Sequence, residues 1–322
     1  MTLTELKYIV AVARERHFGR AADACFVSQP TLSVAIKKLE EELDLKLFER
    51  SANEVSPTAL GEEIVRQAQS VLEQAANIKE IAKRGKDPLA GPLKLGVIYT
   101  IGPYLLPELV RNVIGMTPQM PLMLQENFTN KLLEMLRTGE IDCAIMAEPF
   151  QDAGLALCPL YDEPFLAALP SAHPLASRPS IGAQELKDET LLLLGNGHCF
   201  RDHVLEVCPE FARFASHTEG IRKSFEGSSL ETIRHMVAAG MGVTLVPRLG
   251  VPADALERPV RKKKDLSTYV RYLPIVDEGQ QAPSRRVVLC WRKSFTRYEA
   301  IAALRNAVYA CELPGVTRLT AS

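Results

Sequence analysis

The sequence predicts an α/β protein in two unlike parts: a small N-terminal winged helix-turn-helix domain with a long linker helix, then a larger two-lobed, Rossmann-like domain. Three observations carry that expectation. The chain has 322 residues, more than one ordinary core holds and enough for two or three domains. Up to residue 83 apolar side chains recur at three- and four-residue steps, the mark of helices with one buried face. From residue 92 onward, short apolar runs bounded by turns alternate with helical stretches, the pattern of parallel strands covered by helices. A hydrophobic fraction of 47% and a charged fraction of 24% are those of a globular protein. The net charge of -1 excludes a whole-chain pull toward nucleic acid or membrane, so any basic surface is local.

Leu6, Ile9, Val10 and Ala13 place one buried face on a first helix. The small residues of "GRAADACF" allow a second helix to pack closely, and "VSQPTLSVAIKKLEEEL" supplies a third. Ser28 is a candidate N-cap, and Pro30 sits early in the helix, where its missing N–H costs nothing. Between Ser28 and Lys38 there is no acidic residue, while Gln29, Thr31, Ser33 and Lys37 offer donors and charge. A recognition helix enters the major groove with its N-terminal residues, so this gradient points the right way. "LDLKLFERSANEVSPTALG" predicts a two-stranded wing with Arg50 at its tip. Pro57 is expected to open a long helix whose seam of Leu60, Ile64, Ala68, Val71, Ala75, Ile78 and Ala82 suits a partner helix and hence a dimer. "KRGKDPLAGP" reads as a hinge.

In the second part "LKLGVIYT", "MPLMLQEN" and "IDCAIMAEP" read as strands, with "GPYLLPELVRNVIG" and "NKLLEMLRTG" as the helices between them. "SSLETIRHMVAAGMGVTLVP" reads as a capped helix followed by a strand, and "RRVVLCWRK" as a late strand. The basic run "RKKK" at 261–264 reads as a solvated loop.

The opening "LKYIVAVARERHFGRAADACFVSQPTLSVAIKKLEEELDLKLFERSANEVSPTALGE" resembles the N-terminal domain of LysR-type transcriptional regulators. The resemblance implies a recognition helix from Gln29 to Lys38, including Pro30, and a DNA-contacting wing residue at Arg50. It also implies a periplasmic-binding-protein-like effector domain, with double-stranded promoter DNA and RNA polymerase as partners and a dimer of dimers as the assembly. Residues 1 to 50 hold eight acidic and eight basic residues, so DNA binding has to come from arrangement rather than bulk charge. The expected units are 1–58 for DNA binding, 59–83 for the linker helix, 84–91 for the hinge and 92–302 for the regulatory domain. Within the last, one lobe takes 92–165 and 268–302 and the other 166–267; 303–322 is set apart as a tail.

The chain has seven cysteines, no CxxC pair and no secretion signal, which places it in the cytoplasm with its thiols reduced. No membrane span, metal or cofactor is expected. Cys25, Cys143, Cys158 and Cys290 lie among apolar residues and read as packing; Cys311 is undecided. Cys199 differs, because "LLLLGNGHCFRDH" reads as a strand, a glycine turn and a helix starting near His198. A helix N-terminus and Arg201 two residues on would both favour its thiolate. Cys208 lies nine residue steps further along, roughly 13 Å away on a helix, whereas a disulfide needs alpha carbons within about 7 Å. Peroxide would turn Cys199 into a sulfenic acid, and capture by Cys208 would then require the segment to unwind.

"GHCFRDHVLEVC", with "IYTIGPYLLP" before it and "SSLETIRHMVAAGMGVTLVP" after it, resembles the peroxide-sensing members of this family from Thr2 to about Ala302. The likeness implies Cys199 as the peroxide-reactive thiol and Cys208 as the resolving one. It also implies Thr100 and Thr129 as hydroxyls holding hydrogen peroxide, and His198, Arg201 and Asp202 as groups that position it or hold the reduced loop. A cellular thiol reductant would reverse the reaction. Two other readings stay open: a LysR-type regulator whose cleft takes a small organic acid through Thr100 and Thr129, and a thiol peroxidase using the same two cysteines.

Overall fold

A computed structural model of the chain describes all residues except 51–54, 84–88, 152, 210–223, 228, 253–254, 256–268, 277–281 and 320–322. The wing tip, most of the hinge and the basic run at 261–264 lie outside the described residues.

Helices α1 (Leu3–Glu15), α2 (Phe18–Ala24) and α3 (Gln29–Leu43) bury Leu6, Ile9, Val12, Ala21, Leu32, Ile36 and Leu39 against one another. Each fully buried leucine or isoleucine contributes about 1.5–3 kcal/mol. Ser28 caps α3 through its hydroxyl, which accepts from the Thr31 amide, and Pro30 stands in the first turn, as expected. Strands β1 (Phe48–Arg50) and β2 (Val55–Pro57) pair antiparallel as the wing. The buried Glu40 carboxylate ties α3 to it, accepting from the Leu47 amide at 2.9 Å and from Lys46 Nζ at 3.0 Å. Pro57 does not open the long helix. It ends β2 opposite Phe48, and Thr58 takes the capping place, its hydroxyl accepting from the Gly61 amide at 2.9 Å. A β-carbon at Gly61 would stand 2.1 Å from the Leu47 carbonyl oxygen, so only glycine lets the helix start this close to the wing.

Helix α4 (Ala59–Lys83) divides its apolar residues between two faces. Val65 and Ala68 are buried against the three small helices, with Ile64 and Leu72 partly so. Leu60, Val71 and Ile78 are exposed, at 58%, 37% and 69%, at spacings of eleven and seven residues that put them along one side of the helix.

The sheet order of the second part is β10-β6-β11-β5-β3-β4, with β9 and β12 also on β6. Strands β3 (Leu93–Ile98), β4 (Leu122–Asn127) and β5 (Cys143–Ala147) run parallel, with α5 (Gly102–Met116) and α6 (Thr129–Arg137) between them. Strand β6 (Leu155–Pro170) is long enough to serve both lobes. Its first part pairs antiparallel with β11 (Ser284–Arg292), and its second with β9 (Thr244–Pro247) and β10 (Val270–Pro274). The second lobe adds a parallel pair, β7 (Leu191–Leu194) with β8 (Ser224–Gly227), and helices α7 (Cys199–Val207) and α8 (Leu230–Ala238).

Two of the expected boundaries move. Val270, Tyr272 and Leu273 of β10 are buried in the second lobe, because that strand pairs with the far half of β6; the chain returns to the first lobe only with β11. Residues 303–319 are not a detached tail. Helix α9 (Tyr298–Tyr309) carries Leu304, Ala307 and Val308 into the first lobe's core, Cys311 is buried beside them, and β12 (Thr317–Arg318) adds to β6.

Candidate functional site

Three strand-to-helix turns meet between the lobes. Thr100 follows β3, Thr129 is the first residue of α6 after β4, and Cys199 is the first residue of α7 after β7. Parallel strands aim their carboxyl ends at one crevice, and the helix N-termini that follow bring their positive dipole ends to it. His198 occupies the N-cap position of α7 without a side-chain capping bond, and Gly197 precedes it at φ +98°, the left-handed region that suits glycine.

Ile98, Tyr99, Thr100, Asn127, Phe128, Thr129, Gly197, His198 and Cys199 enclose a cavity of about 10 Å³, close to the least that one water needs. Beyond it opens a cleft of about 370 Å³, which shares Tyr99, Thr100, Phe128 and His198 with the cavity. The rings of Tyr99, Phe128 and His198 pack between the two, with centroids 4.7 to 5.9 Å apart. Among the described residues the buried Thr129 hydroxyl has no oxygen or nitrogen partner; it faces the Cys199 sulfur and favours its charged form. Cys199 and Cys208 both carry thiols rather than a disulfide.

The structure corrects the expected electrostatics. Burial pushes the Cys199 thiol up, and the Thr129 hydroxyl and the charge of Arg285 oppose that rise without overcoming it. The guanidinium acting on the thiol is therefore that of Arg285, on β11, whereas Arg201 lies along α7 and donates to the Leu194 carbonyl at 3.0 Å. Asp202 is exposed and raises the thiol further. Of the expected sensing residues, Thr100, Thr129, His198 and Cys199 line the cavity; Arg201, Asp202 and Cys208 do not. Cys208 is buried at the C-terminal end of α7, so the helix keeps the two sulfurs apart.

Sequence reasoning missed Arg285. Its guanidinium is fully buried, paired with Glu163 at 2.8 Å, and donates to both Thr100 Oγ1 at 2.8 Å and the Thr100 carbonyl at 2.9 Å. Arg285 stands near the start of a strand that also holds Arg286 and Arg292, so nothing local in the sequence sets it apart; its pairing opposite Glu163 does.

At the other end of the molecule, Gln29, Pro30, Thr31 and Lys37 are exposed on α3. Ser33 is half-buried and accepts from Gln29 Nε2 at 3.3 Å. Val34, which sequence reasoning passed over, is 67% exposed and lies one turn after Pro30, amid that polar face. Arg50 pairs with Val55 through its backbone, and its side chain lies outside the described residues.

Residues 3–62 match the bacterial regulatory helix-turn-helix model of the lysR family, and residues 86–310 match the LysR substrate binding domain. The DNA-binding transcriptional dual regulator OxyR of Escherichia coli (strain K12) is 40% identical over 305 residues, 94% of each chain. The chain belongs to the OxyR group of LysR-family regulators. Within that group, a hydrogen peroxide-inducible genes activator of Haemophilus influenzae is 37% identical over 308 residues, 94% of this chain and 95% of that one. A full-length OxyR of Pseudomonas aeruginosa carrying a cysteine-to-aspartate change is 49% identical with a TM-score of 0.75, covering 97% of this chain and 99% of that one. A Corynebacterium glutamicum OxyR cysteine mutant with hydrogen peroxide bound is 34% identical with a TM-score of 0.60, covering 95% and 91%.

Proposed function

We propose that this chain is a cytoplasmic, homotetrameric transcription regulator that binds promoter DNA and, with RNA polymerase, activates antioxidant genes when hydrogen peroxide oxidises Cys199. The observation that carries the reading is the cavity of about 10 Å³ at Cys199, with the unpartnered Thr129 hydroxyl facing the sulfur and Thr100 fixed by Arg285. Its side toward the cleft is where a peroxide with two oxygens would enter, one oxygen beside the sulfur and the other toward Thr100.

Sulfur attacks one peroxide oxygen, the O–O bond breaks, and the second oxygen leaves with a proton as water. Cys199 becomes a sulfenic acid. Cys208 then displaces its hydroxyl as a second water, giving a disulfide that a cellular thiol reductant returns to two thiols. A high thiol pKa leaves little thiolate at rest, so speed toward peroxide has to come from orientation in the cavity. Closing the disulfide dismantles α7, and that refolding moves the dimers relative to one another.

The proposed division of labour places DNA contact on 1–58, through Gln29, Pro30, Thr31, Ser33, Lys37 and Arg50, and pairing on 59–83. The hinge is 84–91 and sensing occupies 92 onward. The organic-acid reading is disfavoured because Glu126 and Glu231 line the cleft and would repel a carboxylate. A peroxidase would have to dismantle and rebuild α7 in every turnover, which disfavours that reading too. Footprinting of a candidate promoter with reduced and with peroxide-treated protein tests the proposal. A footprint that changes length on oxidation supports it, and one indifferent to peroxide and to thiol reductants overturns it.

A further inference from the structure

Any motion that brings Cys199 and Cys208 together has to act on the stretch of α7 between them. His203 lies near its middle, four residues after the first cysteine and five before the second. Its side chain is buried at 5% exposure, with the ring packed against Phe165 and Phe200 at centroid distances of 6.0 and 6.5 Å. His203 Nε2 lies 2.7 Å from the backbone oxygen of Glu148, while Nδ1 is buried with no hydrogen-bond partner among the described residues. Nε2 is therefore the protonated nitrogen and donates to that carbonyl. Burial lowers the ring's pKa, which keeps this neutral form in place.

Glu148 is itself fixed, because its amide donates to the Arg286 carbonyl of β11 at 3.0 Å. The helix that must come apart is thus fastened from its midpoint, through one hydrogen bond, to Glu148 just after β5, and Glu148 is bonded in turn to the strand carrying Arg285. Unwinding α7 breaks that bond and strips the carbonyl of its partner. A buried acceptor left unpaired is costly, so the bond weighs on the reduced side of the equilibrium.

We propose that His203 is a positioning residue that latches α7 to the Glu148 carbonyl, slowing disulfide closure after Cys199 is oxidised and making the disulfide easier to reduce. This rests on the reading that Cys199 and Cys208 form the disulfide. The latch acts on the second step, the displacement of the sulfenic hydroxyl by Cys208, and leaves the first step alone.

The test uses full-length protein with His203→Phe, which keeps a ring between Phe165 and Phe200 but has no donor, and His203→Gln, which restores one. Stopped-flow kinetics separate sulfenic acid formation from closure, glutathione buffers give the potential, and operator binding by reduced protein checks folding. The expected result for His203→Phe is closure about tenfold faster, with sulfenic acid formation unchanged. Its disulfide should be about tenfold harder to reduce, about 30 mV lower for this two-electron couple. His203→Gln should lie near the wild type in both. Wild-type closure and potential in the Phe variant overturn the latch, as does a Gln variant that behaves like the Phe one. Absence of a Cys199 to Cys208 disulfide in the wild type overturns both the latch and the reading beneath it, which tells the two failures apart.

Discussion

Arg285 grips Thr100 twice, donating to its hydroxyl at 2.8 Å and to its carbonyl at 2.9 Å, and the same guanidinium is the cation that acts on the Cys199 thiol. One side chain therefore sets both the place of a cavity hydroxyl and the charge at the reacting sulfur. Glu163 holds it there, accepting from Arg285 Nε at 2.9 Å and from the Leu249 amide at 2.8 Å.

Because both groups of that pair are buried, removing one leaves a charge without compensation. Glu163→Gln should destabilise the regulatory domain by about 3–5 kcal/mol, whereas the double change of Glu163 and Arg285 to Met should cost less. Urea unfolding of the three proteins measures the difference. A double variant that loses more than Glu163→Gln alone would contradict a stranded buried charge as the cause of the single variant's loss.

Burial raises the Cys199 thiol, so its thiolate fraction should grow with pH beyond the range of an ordinary thiol. The pH profile of alkylation by a small reagent should accordingly have its midpoint above that of a free cysteine. Arg285 opposes the rise, so Arg285→Met should move the midpoint higher still and slow oxidation by peroxide at neutral pH. Thr100→Val and Thr129→Val should slow that oxidation by about tenfold or more while sparing operator binding, since each removes a hydroxyl that orients the reacting oxygens. Peroxide titration with sulfenic acid trapping reads both effects.

Much of this was legible in the sequence, and what was not has a common physical cause. The cap at Ser28, the helix start at Cys199 and the strands around the crevice follow from local rules of capping and apolar spacing, and the structure has them. Arg285 was missed because its partners, Glu163 and Thr100, are brought to it by the fold over 122 and 185 residues. The thiol's charge was misjudged for the same reason, since the dipole and Arg201 are local features and burial is not. β10 was assigned to the wrong lobe because an apolar strand carries no mark of which half of β6 it will join.

The long helix shows the same limit. Periodicity put Ile64 on the partner seam, yet it packs partly on the DNA-binding domain, while Val71 and Ile78 remain exposed. Val71→Asp with Ile78→Asp should therefore lower the mass seen by analytical ultracentrifugation without unfolding the N-terminal domain. Unchanged mass would remove α4 as the pairing helix.

On the DNA face, an exposed valine beside Pro30 is suited to the methyl group of thymine, the apolar feature of the major groove. Val34→Ser should weaken binding to the operator, and replacing one operator thymine by uracil should weaken the wild type but not the variant. Arg50→Ala should instead weaken binding to all sequences and lower the salt slope by about one. Fluorescence titrations across salt and across operator variants separate the two effects.

Peroxide is expected to oxidise Cys199 first, and Cys208, at the far end of α7, then to close on it. Mass spectrometry of peroxide-treated protein, with sulfenic acid trapped at early times, tests it most directly. The expected result is early label on Cys199 and a later disulfide between Cys199 and Cys208, with Cys143, Cys290 and Cys311, all buried and with thiols pushed up by that burial, left as thiols. First labelling at Cys208, or a disulfide joining Cys199 to any other cysteine, would contradict it.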